Sequence, residues 1–201
     1  MKSRLFLWVA VAAIINFCWT GASFSQEDAH VDHESMKMEE SADKATSATH
    51  EGMGGHAMAV ITGTQPDSPL NGVIHFKEID GGLKVTAQIS GVQIPGKHGI
   101  HIHEKGSCDE AGQAAGGHYN PHGVDHGYLP ENGVGGAHAG DMGNIEIDAT
   151  GHGTLDLELK GLTLNADNAV IGHAVILHEK EDDFGQPTGN AGGRIGCGVI
   201  Q

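Results

Sequence analysis

An all-β protein, an eight-stranded barrel or sandwich, is what this sequence predicts, on three observations. Aromatic residues make up only 4% of the chain while glycine occurs 32 times, a balance that suits short strands and tight turns better than helices around a thick core. From residue 57 onward, eight short runs of β-forming residues follow one another. Each run is bounded by Gly, Asp, Asn or Pro, the residues that turn a chain. At 201 residues the expectation is one core plus additional material, since two domains of ordinary size need more chain.

The material before the strands has its own texture. Lys2 and Arg4 precede an apolar run over 5–17, followed by small residues between Gly21 and Ser25. That order predicts a secretory signal over 1–25, cleaved after Ser23 or Ser25. Two alternatives stand beside it. Retention as a membrane anchor is limited by the shortness of the run. Lipid attachment at Cys18 is limited by Ile15, Asn16 and Phe17, where small residues are expected.

Residues 26–56 are polar, without sustained apolar periodicity, and read as a disordered linker. In it and just beyond it recur His30, His33, Met36, Met38, His50, Met53, His56 and Met58. Imidazole and thioether suit copper, and Met favours Cu(I). Two readings follow: an arm that captures copper and hands it to the folded domain, or a solvated linker whose composition happens to be rich in His.

The strand runs lie at 59–62, 73–79, 83–89, 99–104, 145–148, 154–159, 170–177 and 194–200, which places the folded domain at 57–201. Two Gly-rich intervals, 105–143 and 179–193, are long for simple connections. Long loops in compact domains are functional or disordered.

Charge and cysteine content narrow the function. The formal net charge of −15 repels phosphate backbones and anionic lipid surfaces, so nucleic acid is excluded as a natural partner and no membrane association is expected once the signal is removed. With Cys18 lost alongside the signal, Cys108 and Cys197 remain. In an oxidising compartment a single disulfide is their natural reading, two unrelated buried thiols the alternative.

Fifteen histidines in 201 residues point to transition metal. His101 and His103 flank Ile102 in a predicted strand, and the strand period of two puts both imidazoles on one face. His178 ends a later strand. The long loop adds His118, His126, His138 and Asp141. His-x-His alone is a weak signal, but a following loop with three more His and an Asp makes it strong.

These residues resemble the copper,zinc superoxide dismutase family over 57–200. The motifs are His98-Gly99-Ile100-His101-Ile102-His103-Glu104, Gly116-Gly117-His118-Tyr119-Asn120-Pro121, His138-Ala139-Gly140-Asp141, and His178 through Asp183, closing with Gly189 through Ile200. The resemblance implies an eight-stranded Greek-key β-barrel or sandwich with two long functional loops. It also implies copper at His101, His103, His118 and His178, and zinc at His118, His126, His138 and Asp141, with His118 bridging. An all-imidazole site serves both copper oxidation states, and four mixed N and O ligands close a structural zinc sphere.

His126 is preferred to His122, whose other reading is an exposed loop histidine. Asp182 matches a carboxylate that accepts hydrogen bonds from His101 and His126; the alternative is an exposed acidic pair with Asp183. Arg194 matches an arginine that guides the anionic substrate, superoxide; its alternative is a tie on the disulfide-bearing loop. His98 matches a packing residue, while His75 and His173 are expected to face solvent from strands and His152 to lie in a turn. The short interval 179–193 lacks a further lysine and glutamate and looks like exported bacterial members. The implied protein is periplasmic or extracellular, and a homodimer is compatible with it. The rival readings are a copper-carrying protein and a metal-stabilised barrel without activity.

Overall fold

The computed structural model describes residues 55–201. The expected signal, Cys18, and the linker up to residue 54 with its first six His and Met donors lie outside the described residues. The eight strands are β1 (His56–Gly63), β2 (Asn71–Ile79), β3 (Gly82–Ser90), β4 (Gly96–His103), β5 (Asp141–Ile147), β6 (Gly153–Lys160), β7 (Ala174–His178) and β8 (Arg194–Val199). They close into an antiparallel barrel in the order β1-β2-β3-β6-β5-β4-β7-β8. The chain twice leaves a neighbour to cross the barrel, from β3 to β4 and from β6 to β7, which is a Greek-key path. Among the described residues, helix is confined to α1 (Leu129–Asn132) and one 3₁₀ turn (Gln113–Ala115).

Alternation builds the barrel wall. In β2, Ile74 and Phe76 are buried while His75 and Lys77 are exposed. In β3, Leu83, Val85, Ala87 and Ile89 point inward, and in β6 Leu157 and Leu159 do the same. The inward set joins Ile61, Ile100, Ile102, Ile145 and Ile147 in one core. Burying a Leu, Ile or Phe side chain is worth about 1.5–3 kcal/mol, so this interior carries the fold.

Two strands do not alternate. All five residues of β7 are buried, as are His98 to His103 in β4. A strand reads this way when both its faces are covered. On β7 the outward Ala174 and Ile176 pack with Ala115 and Cys197, beside the disulfide that joins Cys108 to Cys197.

The structure moves some boundaries. β7 begins at Ala174 rather than 170, because Gly172 turns at φ 87° and the Val170 and Ile171 N–H groups donate to Thr163 and Leu164. His173 is therefore not a strand residue facing water. Its Nδ1 donates to His103 O at 3.0 Å and its ring lies over Tyr119, so it braces the start of the long loop. β5 begins at Asp141, four residues before the expected start, where its backbone joins β4 opposite His101.

Candidate metal centre

The period of β4 sends His98, Ile100 and Ile102 one way and His101 and His103 the other, toward the covering loops. His178 reaches the same face from the end of β7, where the ladder with β8 shifts register between Leu177 and His178 and sets His178 opposite Arg194. His118 arrives from the long loop, bridged through its backbone to His103. Donor atoms of His101, His103, His118 and His178 all lie within 4.8 Å of one another, and so do those of His118, His126, His138 and Asp141. All seven side chains are buried. His118 belongs to both groups.

Each imidazole is held by one nitrogen. His103 Nδ1 donates to Gly116 O at 3.0 Å, His178 Nδ1 to Gly192 O at 3.4 Å, and His101 Nε2 to Asp182 Oδ2 at 2.8 Å. His118 Nδ1 donates to Asp141 Oδ1 at 2.8 Å. The second nitrogen of His101, His103 and His178 is thereby left for a ligand, and His103 Nε2 and His178 Nε2 converge to 3.3 Å, whereas the partner of His118 Nδ1 is itself a donor of the second group. Such outer partners fix both tautomer and ring direction.

Two buried nitrogens are left without a partner among the described residues, His101 Nδ1 and His126 Nδ1. The latter stands 2.9 Å from Asp141 Oδ2 without the alignment of a hydrogen bond. Buried polar atoms are almost always satisfied. Unpaired imidazole lone pairs inside two clusters of N and O donors are what transition metals satisfy, so the residues present fit such ions.

Burial sets the charge of the donors. It holds His103 down at about 2, His178 at about 3 and His118 at about 4, so all three are neutral at physiological pH and ready to bind metal. His126 is the exception: burial opposes its proton, but Asp141 and Asp182 together raise it to about 9. Despite burial, hydrogen bonds from His118 and His138 and the close approach of the His126 ring hold Asp141 far below the ordinary carboxylate range; Asp182 is lowered by hydrogen bonds from His101 and His126.

Of the other candidate residues, His122 lies exposed and outside both clusters, its Nε2 at 2.9 Å from Asn168 Oδ1. Asp182 is fully buried and spans the two groups, reaching His101 on one side and His126 Nε2 at 3.0 Å on the other. His98 sets one nitrogen against His178 O and the other against Ile94 O, each at 2.8 Å. Arg194 donates to Gly112 O and Gly116 O, both at 2.6 Å, tying the disulfide loop. It also lines a cavity of about 250 Å³ with His103, His118, His178 and Thr188. A larger cavity of about 330 Å³, under Leu70, Val92 and Ile94, touches His98 and none of the clustered donors.

Two positioning residues had no sequence signal. Asn144 holds the Asp182 backbone from both sides, Oδ1 accepting its N–H at 2.7 Å and Nδ2 donating to its carbonyl at 2.9 Å. Gln186 does the same for His126, at 3.0 and 2.8 Å. Only glycine fits at 189: φ is 75°, and a Cβ there would fall onto Asp182 Oδ1.

The family model for copper/zinc superoxide dismutase (SODC) matches residues 70–200, which include every residue of both clusters. The chain belongs to the copper/zinc superoxide dismutase family. Its relatives include the protein named extracellular superoxide dismutase [Cu-Zn] of Caenorhabditis elegans, 41% identical over 138 residues that cover 65% of this chain and 61% of the nematode protein. The Drosophila melanogaster protein of the same name is 41% identical over 155 residues, covering 72% and 83%. A crystal structure of the clock protein EA4 superposes with a TM-score of 0.65 at 37% identity, covering 74% of this chain and 95% of that one. Copper/zinc superoxide dismutases use copper and zinc, and the two clusters fit both. These animal relatives lend no support to the bacterial subtype suggested by the short 179–193 interval.

Proposed function

We propose that the chain is an exported superoxide dismutase. The observation that carries the reading is a pair of buried four-donor groups sharing His118, opening on a cavity whose wall holds Arg194. Copper would be held by His101, His103, His118 and His178, and zinc by His118, His126, His138 and Asp141. When bound, copper supplies the single-electron exchange by which two superoxide ions and two protons become O2 and H2O2, while zinc adds a fixed charge without redox change.

The chain's own residues do the rest. Arg194 offers a permanent positive charge at the cavity, where a small anion has no other cationic partner among the lining side chains. His118, whose Nδ1 lies 2.8 Å from Asp141 Oδ1, is common to both groups and would take up and return a proton on the ring nitrogen that faces the copper donors. Asp182 and Asp141 orient the imidazoles, and the covering loops exclude bulk water from all but the cavity mouth. A disulfide and relatives named extracellular support a periplasmic or extracellular location, reached through the signal at 1–25.

The test is to load the full chain with copper and zinc and follow superoxide consumption against the metal-free chain. Fast consumption restricted to the loaded protein is expected. Full occupancy of both metals without consumption would overturn the reading in favour of a copper carrier.

A further inference from the structure

The last two donors of the His/Met-rich segment fall within the described residues, and they are not in a linker. His56 and Met58 stand on β1, two residues apart and therefore on one face, with Ala57 and Ala59 buried in the core between and beyond them. That face points away from the barrel interior and from both buried clusters.

Register completes the group. Met58 lies opposite His75 of β2. The backbone of Met58 exchanges both its hydrogen bonds with Gln201, on the other side, so Met58 and His75 form a non-hydrogen-bonded pair, the kind in which facing side chains come closest. His75 and His56 are diagonal neighbours, and their rings meet: His56 Nε2 is 3.1 Å from His75 Nδ1. Both rings are exposed.

With one shared proton this contact is a hydrogen bond. Without it, two lone pairs converge. At metal–nitrogen lengths of about 2.0 Å, nitrogens 3.1 Å apart subtend about 100° at one ion, an ordinary angle between two ligands. The third side chain within reach is a thioether, a soft donor that selects Cu(I) over zinc. Lys77 lies directly across the ladder from His56. Its charge repels a divalent ion twice as strongly as a monovalent one.

We propose that His56, Met58 and His75 form an accessory Cu(I) site on the outer face of β1 and β2. It stands whether or not the buried centre has dismutase activity. Its place directly after His50 and Met53 makes it the folded end of the donor series that begins at His30.

The experiment uses the full chain with its buried centre already loaded with copper and zinc. Cu(I) is added under reductant in competition with a chromogenic Cu(I) chelator, and Zn(II) is titrated separately. Ag(I), a redox-silent stand-in, is followed through the Met58 methyl resonance. Expected are a shift of that methyl with Ag(I), and a loss of Cu(I) affinity of at least about tenfold in His75→Ala and in Met58→Leu, the scale on which removing even a supporting group acts. Both positions face outward, so unchanged thermal midpoints are expected, and a variant that does not fold is replaced by His56→Ala. Unchanged Cu(I) affinity in both variants, a stationary methyl, or Zn(II) bound as tightly as Cu(I) would each overturn the proposal.

Discussion

The two flanks of the barrel are different strands around the same core, yet only one holds the buried donor clusters. On the flank of β2, β3 and β6, every other residue meets water, and outward side chains pair across strands as Lys84 does with Asp156. On the flank of β4 and β7 the outward residues are buried as well, under the loops 104–140 and 179–193. There the outward positions of β4 are Gly99, His101 and His103, and those of β7 are Ala174, Ile176 and His178. Imidazoles placed in a doubly covered apolar strand lose water and keep their lone pairs. The difference teaches that the second cover, rather than the strand, turns a barrel wall into a metal site.

The most drastic way to separate the flanks is His118→Ala, which removes the one donor common to both groups. Affinity for each metal is expected to fall by more than about a hundredfold, beyond the 10- to 100-fold cost of losing a group that only orients a ligand. Hydrogen-exchange protection in β2, β3 and β6 should stay intact. If protection in those strands collapsed too, the flanks would be one unit.

Acid acts on the same division. His103, His118 and His178 are held near 2 to 4 when folded and return to about 6.5 when unfolded. Below pH 6.5 the unfolded metal-free chain binds protons that the folded one refuses, so stability is full above that pH and is lost as pH falls toward 4. The slope reaches about 1.4 kcal/mol per pH unit for each group. His126 runs the other way: raised to about 9, it adds stability that is complete below 6.5 and lost as pH rises through 9. A denaturation midpoint of the metal-free chain that peaks near pH 6.5 is expected, and zinc affinity should climb toward pH 9 as His126 sheds its proton. A flat profile between pH 4.5 and 6.5 would contradict the assignment of buried neutral imidazoles.

How much of this was legible in the sequence follows the same line. Strands β2, β3 and β6 could be read because alternation records one wet and one dry face. β7 was drawn four residues too long, since Val170 and Ile171 continue an apolar run that the backbone breaks at Gly172. His101, His103 and His178 stood out through strand position. The spacing of His126 could only set it beside His122, because what separates them is tertiary: Asp182 and Gln186 hold one, and Asn168 takes the other. Amide clamps such as Asn144 on Asp182 follow no spacing rule. Nor does the meeting of His56 with His75, which depends on strand register.

The loop supports rank next in size. Gln186→Ala removes both hydrogen bonds to the His126 backbone while leaving all seven donors in place, and Asp182→Asn weakens the link between the groups. Zinc affinity should fall roughly 10- to 100-fold in either variant. Gln186→Ala should lower zinc affinity more than copper affinity, since Gln186 reaches only His126. Equal losses of both metals in Gln186→Ala would mean that the loop acts as a whole rather than through that clamp.

Arg194 gives the smallest effect and the finest test, because it serves both the cover and the cavity. Its two hydrogen bonds to Gly112 and Gly116 hold the disulfide loop, and Gly116 O also receives His103 Nδ1. If the tie alone matters, Arg194→Lys should lose geometry and Arg194→Ala should release copper. If the charge matters, Arg194→Ala should keep its metals, lose the rate several-fold and lose most of its dependence on ionic strength, while Arg194→Lys retains that dependence. We expect the second pattern. The disulfide and the cluster of Ala115, Ala174 and Ile176 hold the loop independently, whereas no other lining side chain of the cavity carries positive charge.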